Sequence, residues 1–113
     1  MSDNCLFCRI VRGEIPSTQV GESDGAIAFR DVNPQAPTHV LVIPRAHVDS
    51  LAAADDSSML GEVLSLAASV AKSEGLEPDG YRVVINNGRN AGQAVDHLHL
   101  HVLGGRRMTW PPG

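Results

Sequence analysis

The chemistry available to this chain lies in its histidines and cysteines, and three of its five histidines occupy alternate positions of one stretch, His97-Leu98-His99-Leu100-His101-Val102-Leu103. A period of two is that of a β-strand, so the spacing predicts His97, His99 and His101 on one face and Leu98, Leu100 and Val102 on the other. Neighbouring rings would then stand about 6.5 to 7 Å apart, far enough for each to do something different. Imidazole titrates near neutral pH and serves as nucleophile, acid, base or metal ligand. Three in register imply either nucleophilic catalysis or a metal cluster. Both cysteines lie in Cys5-Leu6-Phe7-Cys8, a spacing that suggests a metal site or a redox pair in a reducing compartment rather than a structural disulfide.

Several elements must carry these groups. Leu6, Phe7, Ile10 and Val11 give a short helical pattern over about Asn4 to Arg12, which Gly13 and Pro16 end, and Cys5 and Cys8 fall on one side of it. Val20 to Glu22 and Ala26 to Arg30 read as strands about a Ser23-Asp24-Gly25 turn, and Asp31 to Pro37 as a loop. His39-Val40-Leu41-Val42-Ile43 is a strong strand stopped by Pro44, with His39 at its start and His47 just beyond its end. From about Ser57 to Glu74 the period becomes helical, with Leu60, Val63, Leu64, Ala67, Val70 and Ala71 as the apolar stripe, Asp55 and Asp56 at the positive end and Gly75 past the last turn. The spacing predicts that this stripe covers the Leu98, Leu100 and Val102 face and leaves the histidine face open. Tyr81 to Asn86 is a further strand, and the loop from Asn87 to Val95, with Gly88 and Gly92, is longer than a hairpin needs and can aim backbone amides at an anion.

The length, residues 1–113, predicts one domain with its own core. A net charge of −4 and a pI near 5.6 argue against non-specific nucleic-acid binding, though a small anionic ligand remains compatible. No stretch has the apolar length of a membrane span or the pattern of a secretory leader, so the expectation is a cytoplasmic protein.

Gly92-Gln93-Ala94-Val95-Asp96-His97-Leu98-His99-Leu100-His101-Val102-Leu103 resembles the signature of the histidine triad (HIT) superfamily. Glu14-Ile15-Pro16, Phe29-Arg30-Asp31, Pro34 to His39, Val42-Ile43-Pro44, Asn86 and Gly104 to Gly113 resemble its Hint branch, so the likeness spans nearly the whole chain. The resemblance implies an α+β fold: an antiparallel sheet of about five strands, one long and one short N-terminal helix on one face, and two chains pairing into a continuous sheet as a homodimer. It also implies hydrolysis of nucleoside 5′-phosphoramidates and related adenylates through a nucleotidyl-histidine intermediate. His99 would be the nucleophile, with His101 and His39 handling charge and protons. The purine nucleotide would meet Asp31 at the ribose, Asn86, Gly92, Gln93, Ala94 and Val95 at the phosphate, Leu6, Phe7, Ile10, Phe29 and Leu41 at the base, and Trp110 from the closing segment. Ala94 stands where Hint proteins commonly have a serine, which bears on turnover and leaving-group preference. Some relatives with the Cys-x-x-Cys bind a structural zinc, and the matching ligands here are Cys5, Cys8, His47 and His97. A sister branch hydrolyses dinucleoside polyphosphates, and a zinc-stabilised nucleotide-binding or adaptor protein without chemistry is the non-enzymatic alternative.

Overall fold

The computed structural model describes residues 4–113. In chain order it contains α1 (Leu6–Val11), β1 (Gln19–Glu22), β2 (Ala26–Arg30), β3 (Thr38–Pro44), α2 (Ser57–Ser73), β4 (Tyr81–Ile85) and β5 (Leu100–Gly104). The five strands form one antiparallel sheet in the order β1-β2-β3-β5-β4, the α+β architecture predicted.

Pairing register sorts the side chains. Opposed residues share a face, so Ala28 with Val42, and Val40 with Val102, point to one side, while Phe29 with Leu41, and Leu41 with His101, point to the other. The first side packs against Val63, Leu66, Ala67, Val70 and Ala71 of α2. Their spacing of i, i+3, i+4, i+7 and i+8 is the apolar stripe of a half-buried helix. Val63, Ala67, Val70 and Ala71 are buried as expected, whereas Leu66 belongs to that stripe and Leu64, expected there, is 50% exposed. Asp56 caps the start of α2 by accepting from the Ser58 and Met59 amides, and the far end closes with Leu76 N–H on the Ala71 carbonyl and Gly75 N–H on that of Lys72. The left-handed residue this requires is Gly75, at φ +75°.

Two expectations need correction. The histidine stretch is not strand throughout: β5 begins at Leu100, and His97 to His99 approach it as irregular backbone, tied by Leu98 N–H to the Val48 carbonyl at 2.7 Å. The alternation of sides survives, with Leu98 joining the α2 core. Nor is the histidine face open. The two helices lie on opposite faces of the sheet, because Phe7 of α1 packs with Ile27, Phe29, Leu41 and Ile43 on the histidine side. As a result His97 and His99 are buried, at 0% and 6% exposure.

Candidate active site and metal centre

The five histidines separate into two groups, and in each one ring nitrogen is committed to a protein partner. The first group centres on Cys5, which caps α1 by accepting the Cys8 amide at its sulfur, 3.4 Å away. This turn directs both sulfurs at two imidazoles. His47 Nδ1 lies 3.2 Å from Cys8 Sγ, and His97 Nδ1 lies 3.4 Å from Cys5 Sγ and 3.5 Å from Cys8 Sγ. The opposite nitrogen of each ring donates to oxygen: His97 Nε2 to the Pro44 carbonyl at 2.9 Å, His47 Nε2 to the Asp49 carboxylate at 2.7 Å. A carbonyl and a carboxylate can only accept, so both Nδ1 atoms face the sulfurs with a lone pair.

All four ligand atoms lie within 4.8 Å of one another. A tetrahedral zinc with sulfur at about 2.3 Å and nitrogen at about 2.0 to 2.1 Å separates an S–N ligand pair by about 3.6 Å, close to the three distances here. Donor type, tautomer and spacing therefore all fit a closed, four-ligand zinc site. Burial, then the neighbouring Cys5, pushes the Cys8 thiol above its ordinary range, and a bound dication is what makes two adjacent thiolates tolerable. Asp49, which orients His47, was not foreseen in the sequence; its position two residues after a ligand histidine was the available signal.

The second group is His99, His101 and His39. His99 donates from Nδ1 to the carbonyl of His97 at 2.7 Å. Its proton is thus on Nδ1 and its lone pair on Nε2. Among the described residues no protein group hydrogen-bonds that Nε2, and no buried side-chain nitrogen is left unsatisfied, so the atom reaches open space. His101, from β5, places Nδ1 2.9 Å from Nε2 of His39 on the adjacent β3. The Gln35 amide donates to the other side of His39, at Nδ1, 3.0 Å away. His101 is pushed down to about 4, mainly by burial and then by the neighbouring His99 and His39, and burial likewise lowers His39. Both rings are neutral at pH 7.

These rings border a cleft of about 400 Å³ walled by Leu6, Phe7, Ile10, Phe29 and Leu41 at one end. Asp31, Ala94, Val95, His99 and His101 also line it, with Arg30, Val32 and the segment from Ile15 to Ser17. The size suits one small ligand, and the apolar end with a few convergent polar groups is the usual composition of such a site. Asn86, Gly92, Gln93 and Trp110 lie outside these walls. Gln93 braces the preceding loop instead, accepting from the Gly88 amide and donating to the carbonyls of Asp49 and Val95. The Gly92 and Gln93 amides are spent on the carbonyls of Arg89 and Gly88, and the Gly88 amide on Gln93, so neither glycine of the loop has its amide free for an anion. Trp110 is 81% exposed, with the Arg82 guanidinium over its ring.

Comparison with known proteins agrees with this geometry. The HIT domain family matches residues 12–108. A 14 kDa zinc-binding protein of Zea mays is 54% identical over 112 residues, 96% of this chain and 87% of its own. An uncharacterized HIT-like protein of Synechocystis is 50% identical over the full length of both. The crystal structure of a HIT family hydrolase from Legionella pneumophila superposes with a TM-score of 0.94 at 52% identity, covering 97% of this chain and 100% of that one.

Two outcomes are expected. Cys8→Ser, which removes one thiolate of the closed shell, should abolish stoichiometric zinc in the purified protein and lower its melting temperature, as read by elemental analysis and calorimetry; full metal content with an unchanged melting point would contradict the assignment. His101 binds its proton at about 4 when folded against 6.5 unfolded, so its contribution to stability is complete above pH 6.5 and drains away as pH falls toward 4. Wild type should therefore lose more melting temperature between pH 7 and 4.5 than His101→Asn does, whereas parallel losses would rule out a role for this ring.

Proposed function

We propose a reaction for this chain, which belongs to the HIT domain family and is built like its hydrolases: the hydrolysis of nucleoside 5′-phosphoramidates and related adenylates through a nucleotide held covalently on His99. The observation that carries it is the His99 Nδ1–H bond to the His97 carbonyl at 2.7 Å, which leaves an uncommitted Nε2 lone pair at the wall of a nucleotide-sized cleft. We assign the purine to the apolar end between Phe7, Ile10, Phe29, Leu6 and Leu41, the ribose hydroxyls to the Asp31 carboxylate, and the phosphate to His99, His101 and the Ala94-Val95 backbone.

In the first step Nε2 of His99 bonds to phosphorus and the bond to the amine breaks, the N–H of the neutral His101 ring donating a hydrogen bond to the departing nitrogen, which takes its proton from water. Phosphorylation makes the His99 ring cationic. That charge arises 5.1 Å from the His101 ring, which is neutral and so does not oppose it. Water then attacks phosphorus, the bond to His99 Nε2 breaks, and AMP leaves as the attacking water gives its proton to solvent. The carbonyl of His97 steadies the Nδ1–H throughout, and donors ready in place do not have to reorganise as charge moves. Ala94 offers no hydroxyl to the departing group, so this reading favours amines that leave with little assistance.

The role of zinc is structural: bound by Cys5, Cys8, His47 and His97 in the reducing cytoplasm, it fixes α1 against the sheet and supplies no group to the reaction. We also assign a homodimer. Among the described residues β4 pairs only with β5, and its outer edge is regular over five residues, whereas β1 at the other edge is short and broken by an irregularity between Gln19 and Gly21. Joined through β4, two sheets become one.

Incubated with the tryptamine phosphoramidate of adenosine, the zinc-loaded protein should release AMP, and His99→Ala should reduce kcat by at least about 10⁴-fold while nucleotide still binds. Tight AMP binding with wild-type turnover no greater than that of His99→Ala would support the non-catalytic alternative, and faster cleavage of diadenosine polyphosphates would support the sister activity. Sedimentation at micromolar concentration should give twice the 12.0 kDa of the chain, and a monomer would exclude the shared sheet.

A further inference from the structure

We propose that Gln35 and Arg106 are positioning residues for the His39 and His101 pair: the Gln35 backbone N–H decides which nitrogen of each ring carries the proton, and Arg106 holds that N–H in place. This rests on the reading of His101 as the group that meets the phosphate and the departing amine.

A backbone N–H can only donate. Because the one at Gln35 points at His39 Nδ1 from 3.0 Å, that nitrogen must hold a lone pair, and the neutral ring keeps its proton on Nε2. His39 Nε2 has two acceptors nearby, His101 Nδ1 at 2.9 Å and the Asp31 carboxylate at 3.4 Å, and the shorter contact takes the proton. His101 then accepts at Nδ1, so its own proton sits on Nε2, which no described protein group engages. With His39 in the other tautomer, His101 would donate through Nδ1 and meet the substrate with a lone pair. Such a lone pair repels a phosphoryl oxygen and cannot donate a hydrogen bond to an amine. One amide far from phosphorus thus decides whether the reacting group is a donor or an acceptor.

The lock also gives the pair a direction. A second proton on His39 would have to enter at Nδ1, where it would face the Gln35 N–H. His39 therefore does not pass protons inward from solvent, and His101 keeps its Nε2 proton through the cycle, serving as a hydrogen-bond donor to the phosphate and the departing amine.

Gln35 is held from several sides. Its carbonyl accepts from Arg106 Nε at 3.1 Å, and its side-chain amide donates to the Asn33 carbonyl at 3.1 Å. Asn33 N–H bonds the Asp31 carboxylate, and Asp31 N–H bonds the His39 carbonyl, so the loop closes on the strand that carries the histidine. The turn bearing Arg106 presses on the same loop. Gly105, at φ +88°, sits so near Pro37 that a Cβ there would lie 2.9 Å from the proline Cβ. Both the backbone angle and the approach require glycine.

The test is multiple-bond ¹H–¹⁵N correlation on zinc-loaded protein carrying ¹⁵N-histidine, which reads the tautomer of each ring without any substrate. In wild type at neutral pH, His39 and His101 should both show protonated Nε2 and bare Nδ1. Gln35→Pro deletes the one N–H, and the spectrum should then show a mixture of tautomers, with kcat down about 10- to 100-fold and KM changed by no more than about twofold. Arg106→Met, which spares the backbone donor, should move both readouts the same way by less, and Arg106→Lys should recover most of the loss. A wild-type His39 protonated on Nδ1 would overturn the proposal, as would a folded Gln35→Pro protein with unchanged tautomers and kcat. Should both rings show the expected tautomers while no phosphoramidate is cleaved, the lock stands and the assigned substrate falls.

Discussion

An imidazole has two nitrogens, and everything at this site depends on one of them being committed to the protein so that the other has a fixed character. The carbonyls of Pro44 and His97 and the carboxylate of Asp49 each accept from one ring nitrogen, and the Gln35 amide donates to another. Two rings thereby turn lone pairs toward sulfur, one turns a lone pair toward a cleft, and a hydrogen-bonded pair stands beside it. His97 joins the two groups: its ring faces the cysteines while its carbonyl holds His99. A single residue therefore couples the integrity of the metal centre to the orientation of the His99 ring.

The sheet makes this possible because its two faces carry different loads. Small and branched residues such as Ala26, Ala28, Val40 and Val42 pack against α2 and provide the rigid, dry side. On the reverse, Phe29, Leu41 and Phe7 of α1 build an apolar wall that shields the histidines from bulk water, with Phe7 set edge-on to both His97 and His99. That shielding keeps His101 neutral far below its usual titration. Zinc anchoring of α1 is thus also a way of maintaining the wall. The long α2 needs no such help, since Asp56 and Gly75 end it with strong local signals.

Much of this was legible in the chain. Period-two alternation placed Leu98, Leu100 and Val102 on the α2 side, and the family resemblance named Cys5, Cys8, His47 and His97 as the metal group. Asp31, Phe7, Ile10, Phe29 and Leu41 do line the cleft. What escaped was whatever depends on backbone rather than on residue type. Hydrogen bonding to Val48, outside the ladder, delays the start of β5, and no periodicity reports that. The histidine face looked open because a six-residue helix distant in sequence covers it, and Phe7 alone carries little sign of where it will dock. Gln93 reads as a phosphate contact, but its side-chain amide is taken up by the Gly88 N–H and by the carbonyls of Val95 and Asp49. Gln35 was invisible for a plain reason: its contribution comes from an N–H that nearly every residue has.

The central claim is that Nε2 of His99 bonds to phosphorus. It is tested most directly by mixing zinc-loaded protein with an adenosine phosphoramidate, quenching in alkali, where phosphorus–nitrogen bonds survive, and mapping the adduct by peptide mass spectrometry. The account predicts an added adenylyl group on the peptide containing His97 to His101, assigned to His99 by fragmentation and absent from His99→Ala. Release of AMP at an undiminished rate with the nucleotide on another side chain, or on none, would contradict it.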